Sequence, residues 1–408
     1  MGSIISLGIN KMEIDWGKNG IFNNHSVLFQ EDDFNQDIPY YYIEYIDDDS
    51  AKEIVKYKKG ARKKLSAVKE RLDLLGFDLS SIEKKYNANI KEYEFYTDEK
   101  VNLTFEEFYE VIKSLDISKV NTVLASAEGW ENGYDLGEYF KECIMGDEEF
   151  STKIKGKEFH YLIGTFFENL EPYITLRILA ENKSNLDYYV EWHYNDVVEE
   201  GWIKRDDVVK ELPDKDKILI VTEGSTDSFI IKKTIDTLYP NISDFFMFID
   251  MEENYPFTGV GNLKNFCKGL SKINIQNNII VLFDNDTAGT DSYNTIKNIP
   301  KPKNLVFCHL PEHSEFKEFE TIGPFGYQKA DINGKAVSIE CFLDLSSEKA
   351  IVRWNNFNEK IREYQGALEN KDEYTRKFKK ASLLDGSYDC GKLKYLIDYI
   401  IKQWLNRG

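Results

Sequence analysis

The chain has 408 residues, 42% hydrophobic and 14% aromatic, enough for two or three domains with real cores. Its formal net charge of −19, from 71 acidic against 52 basic residues, excludes a chain that coats nucleic acid through overall charge, so any phosphate must be met by local cations, a metal or a partner. Five scattered cysteines without a Cys-x-x-Cys pair exclude a zinc ribbon or dithiol motif and suit thiols buried in a reducing cytoplasm, and no apolar run reaches the ~18 residues of a membrane span.

Met1-Gly-Ser-Ile-Ile-Ser6 fits a myristoylation pattern, but Ile4–Ile9 reads better as an opening strand. Residues 1–30 predict short strands with turns at Gly17–Gly20 and Asn23-Asn24. Glu31–Glu53, strongly acidic with Lys52 as its one base, predicts a solvated loop leading into a helix. That helix would align Ala61, Leu65, Val68, Leu72 and Leu75 and carry Lys56, Lys58, Lys59, Arg62, Lys63 and Lys64 in its N-terminal half. A solvated helix face accounts for the basic row. So does a stripe that touches phosphate or a partner, with Lys58, Lys59, Arg62 and Lys63 as the candidate contacts. Gly76–Ser80 stops this helix and caps another. Phe105–Lys113 and Leu136–Met145 read as amphipathic helices, and Phe159–Phe167 and Tyr173–Leu179 as further apolar ones. Trp192, His193, Tyr194 and Trp202 form an aromatic edge, better suited to core or interface than to stacking bases. Leu212-Pro213-Asp214 marks a domain boundary.

Beyond it, strands and helices alternate. Ile218–Val221 is an aliphatic run of the kind buried on both faces of a sheet. Glu223 and Gly224 follow, then Ser225 or Thr226 can cap a helix over 226–238, with Asp227 in its first turn near Glu223. Phe245–Asp250 predicts a strand ending in Asp250, an accessory acid or a turn residue. A helix over Leu263–Leu270, a strand over Ile279–Phe283, Asp284-Asn-Asp286, a helix over Thr290–Lys297 and a strand over Leu305–Leu310 complete an α/β unit with a parallel sheet. Functional groups in such sheets gather beyond the carboxyl ends of the strands, so Glu223, Asp227, Asp284 and Asp286 are expected in one crevice. Four acids there repel one another unless a cation intervenes, and Mg²⁺ or Mn²⁺ with oxygen ligands is the natural one.

Glu223-Gly-x-x-Asp227 closing one strand and Asp284-x-Asp286 closing a later one resemble the Toprim domain, shared by topoisomerases, primases and nucleases of the overcoming-lysogenization-defect type. The resemblance covers roughly Asp214 to His309, and Asp284–Gly289 is most like primase versions. The opening Met-Gly-Ser-Ile-Ile-Ser-Leu-Gly-Ile, the acidic stretch, the helix after it and the Toprim partner together resemble the HEPN/Toprim-associated domain. That domain precedes either a HEPN ribonuclease or a Toprim domain. No histidine here follows an arginine at the HEPN spacing, so the N-terminal part is not expected to be a HEPN active site. The resemblance implies a Rossmann-like α/β Toprim core at 214–320 behind an α+β N-terminal domain at 1–210. It implies that Asp284 and Asp286 hold a metal, that Glu223 is a ligand or general base, and that Asp227 is a ligand or supports one. It also implies a cytoplasmic, toxic nuclease of bacterial defence against phage. Its substrate would be DNA or RNA (tRNA included), it would answer to a phage trigger or regulatory partner, and its self-association stays open. A primase-like nucleotidyl transferase and a non-catalytic binding module stay open as alternatives. Many Toprim proteins have a basic residue where this chain has Ser225, so phosphate charge must be met elsewhere.

His309 and His313 are four apart, but Pro311 between them disfavours the helix that would make them a metal pair. Residues 321–408 predict a hairpin followed by a helical extension. Lys329–Glu340 reads as the hairpin, turning at Asn333-Gly334. Nuclease members of the resembled group place an extra carboxylate after the core, which implies that Glu340 serves a second metal. Lys329 and Lys335 could supply the charge Ser225 does not. From Ser346 the chain reads as helical. Arg376 and Lys377 lead a basic cluster, candidates for nucleic-acid contact, and Tyr388–Leu405 is a final amphipathic helix. No Gly-x-x-x-x-Gly-Lys phosphate loop occurs, which separates the chain from Toprim nucleases with their own ATPase domain.

Overall fold

The computed structural model describes residues 2–47, 50–98, 100–101, 103–119, 169–249, 259–273, 275–346, 349–359 and 362–407. They fall into two compact units, Met1–Pro213 and Asp214–Gly408.

The first unit is a five-stranded antiparallel sheet, β1 (Ile4–Ile9), β2 (Met12–Lys18), β3 (Gln36–Asp47), β4 (Ser50–Lys64) and β5 (Tyr189–His193), in the order β2-β1-β5-β4-β3. Alternation sends Ile5, Leu7 and Ile9 to one face, where they meet Trp192. Four helices supply the other half of that core: α1 (Leu65–Leu72), α2 (Leu79–Thr97), α3 (Phe105–Ser114) and α4 (Pro172–Leu179). Leu65, Val68 and Leu72, Ile82 and Tyr86, Phe108 and Ile112, and Ile174 and Ile178 are all buried there. Asp78 caps α2 by accepting from the Ser80 N–H, and Thr104 with Glu107 forms a reciprocal capping box on α3.

The expected loop and basic helix are instead a long hairpin. β3 and β4 pair from Gln36↔Gly60 to Asp47↔Ser50, so Lys56 to Lys64 lie on a strand and the helix begins only at Leu65. The reason is local. Ile38, Tyr40, Tyr41, Tyr42, Ile54, Val55 and Tyr57 are β-branched or aromatic and suit a pleated surface, a preference that outweighs the density of charge. Leu136–Met145, Phe159–Phe167, Cys143 and Asp250 lie outside the described residues.

The second unit holds two sheets. One is parallel, in the order β10-β8-β6-β7, built from β6 (Ile218–Val221), β7 (Phe246–Phe248), β8 (Asn278–Phe283) and, after the two-residue β9 (Asn285–Asp286), β10 (Leu305–His309). Helices α5 (Ser225–Leu238), α6 (Val260–Leu270) and α7 (Thr287–Ile296) follow β6, β7 and β9. Ile218, Ile220, Val281 and Phe283 are fully buried, as strands covered on both faces require. The chain steps from β6 outward to β7, then returns past β6 to β8. Beyond the ends of β6 and β8 the direction of winding therefore reverses, and a crevice opens there.

The other sheet is β12-β11-β14-β15, from β11 (Phe319–Gly323), β12 (Gly326–Ala330), then β14 (Val352–Asn358) and β15 (Glu363–Leu368). Between its two halves, β13 (Ala336–Val337) pairs antiparallel with β9, Ala336 opposite Asp286 and Val337 opposite Asn285. Helices α8 (Lys371–Lys380) and α9 (Gly391–Leu405) close the chain, α9 burying Leu393, Leu396, Ile397, Ile400 and Trp404. Two expectations are corrected here. The hairpin is Phe319–Gly323 with Gly326–Ala330, not Lys329–Glu340. Asn333-Gly334 does turn, with Gly334 at φ +74°, but it delivers the chain onto β9 rather than back along Lys329. The region after Ser346 is not all helix, because β14 and β15 precede α8. Their apolar residues pair across strands rather than at helical spacing. Among the described residues no helix is long and apolar enough to cross a membrane.

A candidate acidic active site

The ends of β6 and β8 bring four acids together, and segments from far down the chain add a fifth acid and a lysine. Glu223 follows β6, and its Oε1 accepts the Asp284 N–H at 3.1 Å, which ties the two strand ends to each other. Asp227, in the first turn of α5, accepts the Gly224 N–H at 3.1 Å. Asp286 caps α7 through the Gly289 N–H at 2.7 Å and accepts from the Gln365 amide at 3.0 Å. A side chain at Gly289 would place its Cβ 2.2 Å from the Asp284 carbonyl oxygen, so this tight turn requires glycine. Glu340 is buried, accepts the Ser338 hydroxyl at 2.7 Å and pairs with Lys371 at 3.3 Å.

The acids act on one another's charge. Burial raises the Glu223 carboxyl to about 7, opposed by the Asp284 N–H and reinforced by Asp286. Burial likewise raises Asp227 to about 7, with Glu340 and Glu223 adding to it. Burial holds Asp284 well above the usual carboxylate range, and the charges of Asp227, Glu223 and Asp286 push it the same way. Burial raises Asp286 too, against the N–H groups of Gly289 and Ala288. Burial works against the charge of Lys371, but Glu340 and Asp284 outweigh it and raise its pKa. Among the described residues, Lys371 thus faces five carboxylates. Among the described residues nothing hydrogen-bonds the Asp284 carboxylate.

The acids suit a hard divalent cation in kind, being all oxygen donors, mutually repelling and short of positive charge. As they stand, no three His, Cys, Asp or Glu side chains among the described residues form a ready metal-binding group. Each acid except Asp284 is held by a local hydrogen bond.

Of the other sequence candidates, Lys335 sits beside the site, bridged to Asp286 through the backbone and paired with Glu363 at 3.2 Å. Lys329 is exposed on β12. Arg376 pairs with Glu373 at 3.7 Å and Lys377 with Asp344 at 3.4 Å on α8. In the first unit, Lys58 pairs with Asp196 at 2.6 Å, Lys59 with Asp37 at 2.7 Å, Arg62 with Glu191 at 3.3 Å and Lys63 with Asp33 at 2.6 Å. His309 bonds the Leu310 carbonyl, while His313 caps a short turn and packs on Tyr395, so the two do not act as a pair. Lys371, Gln365 and Ser338 escaped the sequence reading. Only Ser338 left a signal, its hydroxyl two residues before the acid it serves.

A family described as HEPN/Toprim N-terminal domain 1 matches residues 1–216. Neither the curated proteins nor the solved structures contain a match to the chain.

Proposed function

The chain belongs to the HEPN/Toprim N-terminal domain 1 family, and from that premise we propose that its C-terminal unit is a Toprim-type nuclease that cleaves phosphodiester bonds with Mg²⁺ or Mn²⁺. Asp284 carries the reading: a carboxylate without a hydrogen-bond donor among the described residues, crowded by three other acids at a crevice where the winding of the sheet reverses. A structural acid is paired, whereas one left in this condition is positioned for a cation. Asp284 and Asp286 would hold the ion, with Glu223 and Asp227 beside them and Glu340 serving a second position. Bound there, the ion would polarise a phosphoryl oxygen and ease deprotonation of an attacking water. Glu223, with its pKa raised to about 7, can take a proton near neutral pH. Lys371 offers its ammonium to the phosphate, the role that Ser225 cannot fill.

The test is incubation of the purified chain with plasmid, single-stranded DNA and total tRNA, with and without Mn²⁺, beside Asp284→Asn. Metal-dependent cleavage lost in the variant supports the reading, and primer synthesis from labelled triphosphates without cleavage overturns it. Such an activity is toxic in the cytoplasm and suits an effector of anti-phage defence, with the Met1–Pro213 unit meeting the trigger or partner. Growth arrest on induction, absent for Asp284→Asn, is the expected outcome.

A further inference from the structure

Asp284 and Asp286 stand two residues apart, yet the chain treats them differently. The Asp284 carboxylate has no hydrogen-bond donor among the described residues. Asp286 has both oxygens held. Its Oδ1 accepts the Gly289 N–H at 2.7 Å, and its Oδ2 accepts the side-chain amide of Gln365 at 3.0 Å. The first donor belongs to the turn that Asp286 itself caps. The second arrives from β15, 79 residues further along the chain.

The second sheet is irregular at that contact. β14 and β15 pair in step through Val352↔Leu368, Arg353↔Ala367 and Trp354↔Gly366, then resume at Asn356↔Gln365. Asn355 is the extra residue, and a bulge of this kind bends a strand and re-aims a side chain, often beside an active site. Gly366, next to Gln365, crosses β13 closely. Its N–H donates to the Lys335 carbonyl at 3.2 Å, and a Cβ there would lie 2.9 Å from that of Ala336. Ala336 is the residue opposite Asp286 on β9. Glycine at 366 thus lets β15 lie against the strand that pairs with the acid, where Gln365 can reach it. The Thr287 hydroxyl docks the same stretch through backbone, donating to the Tyr364 and Lys335 carbonyls at 3.1 and 3.3 Å.

We propose that Gln365 is a positioning residue of this site, which fixes the orientation of the Asp286 carboxylate for the divalent ion. The proposal rests on the nuclease reading and deepens it. A carboxylate oxygen has two lone pairs, so each oxygen of Asp286 can keep its donor and still offer a pair to a cation. A ligand held in this way is oriented before the ion arrives, and loss of such a partner commonly costs about 10–100-fold in metal affinity. A neutral amide suits the task. It donates a hydrogen bond without adding a positive charge that would compete with the ion for the same oxygens.

The experiment titrates Mn²⁺ into the full chain by calorimetry and needs no turnover. Gln365→Met, close in size but without the donor, should bind Mn²⁺ about tenfold more weakly. Its thermal stabilisation by Mn²⁺ should likewise need about tenfold more metal to reach the wild-type shift. Thr287→Val separates orientation of the acid from docking of the strand. It loosens the same stretch of β15, so it should lower the melting temperature without divalent ions while its Mn²⁺ affinity stays at the wild-type value. Equal Mn²⁺ affinity in Gln365→Met and wild type, or the same loss in Thr287→Val as in Gln365→Met, overturns the positioning role and leaves the nuclease reading standing. A wild type that takes up no Mn²⁺ at millimolar metal overturns both.

Discussion

The two units handle charge in opposite ways. In the first, several buried and half-buried charges among the described residues are paired. Lys63 meets Asp33 at 2.6 Å, Arg177 meets both Asp73 and Glu181, and Lys58 meets Asp196. Arg71, fully buried, donates to the carbonyls of Val27 and Phe29. Among the described residues of the second unit five acids share Lys371, and the Asp284 carboxylate accepts no hydrogen bond. A net charge of −19 covers both arrangements and distinguishes neither. What separates a charge kept for the fold from one kept for a ligand is whether the chain supplies its partner.

Removing an acid should therefore have opposite consequences in the two units. The largest effect is expected for Asp284→Asn, which should cut metal-dependent cleavage by about 10²–10³-fold, the scale of losing a placed electrostatic group. In divalent-free buffer the same variant should raise the melting temperature, because it relieves a crowded carboxylate. Retained cleavage would break the comparison. Asp33→Asn should do the reverse, leaving Lys63 buried with only Gln30 beside it. The expected loss is about 3 kcal/mol in the first transition of a urea titration, and a neutral result would mean that the pairing is idle.

Glu191 sharpens the contrast, since it is an acid whose partner is insufficient. Burial lifts its carboxyl to about 7 despite Arg62. The folded form holds the proton more tightly than the unfolded form does. Its contribution to stability is therefore complete below the unfolded pKa and falls away as pH rises through about 7. Glu191→Gln should remove that slope and favour the fold at pH 8 by up to ~3 kcal/mol, read from denaturation at pH 5, 7 and 8. The smallest effect belongs to the exposed pair. Lys59→Gln should change stability by less than ~0.5 kcal/mol and leave the salt dependence of nucleic-acid binding unaltered. A flattened salt slope would instead make β4 a phosphate-contacting strand.

The parallel sheet could be read from the sequence because its signals are local. Ile218–Val221 and Asn278–Phe283 are unbroken apolar runs, and each stops at acids. The hairpin of β3 and β4 was hidden because its evidence is split. Acids and lysines dominate the count, while the tyrosines and β-branched residues that decide the backbone alternate among them. Lys371 and Gln365 could not be found by motif. No motif around either marks it as a partner of the acid cluster, and their meaning appears only when the chain has returned across the sheet. Glu340 was placed by resemblance, and the turn on which it sits is a 3₁₀ turn rather than the end of a hairpin.

The two-residue ladder between β9 and β13 sets a schedule for synthesis. Asp286 is paired with Ala336 and bonded to Gln365, and Lys371 follows later still. A ribosome releases these pieces in that order, so a growing chain that has already exposed all four acids of the parallel sheet still lacks the strand that clamps them and the lysine that faces them. The cluster can be completed only after Lys371 has emerged. A cell making this protein therefore carries no finished cluster on a half-made chain, and a truncated product ending near residue 320 would keep the sheet without the site.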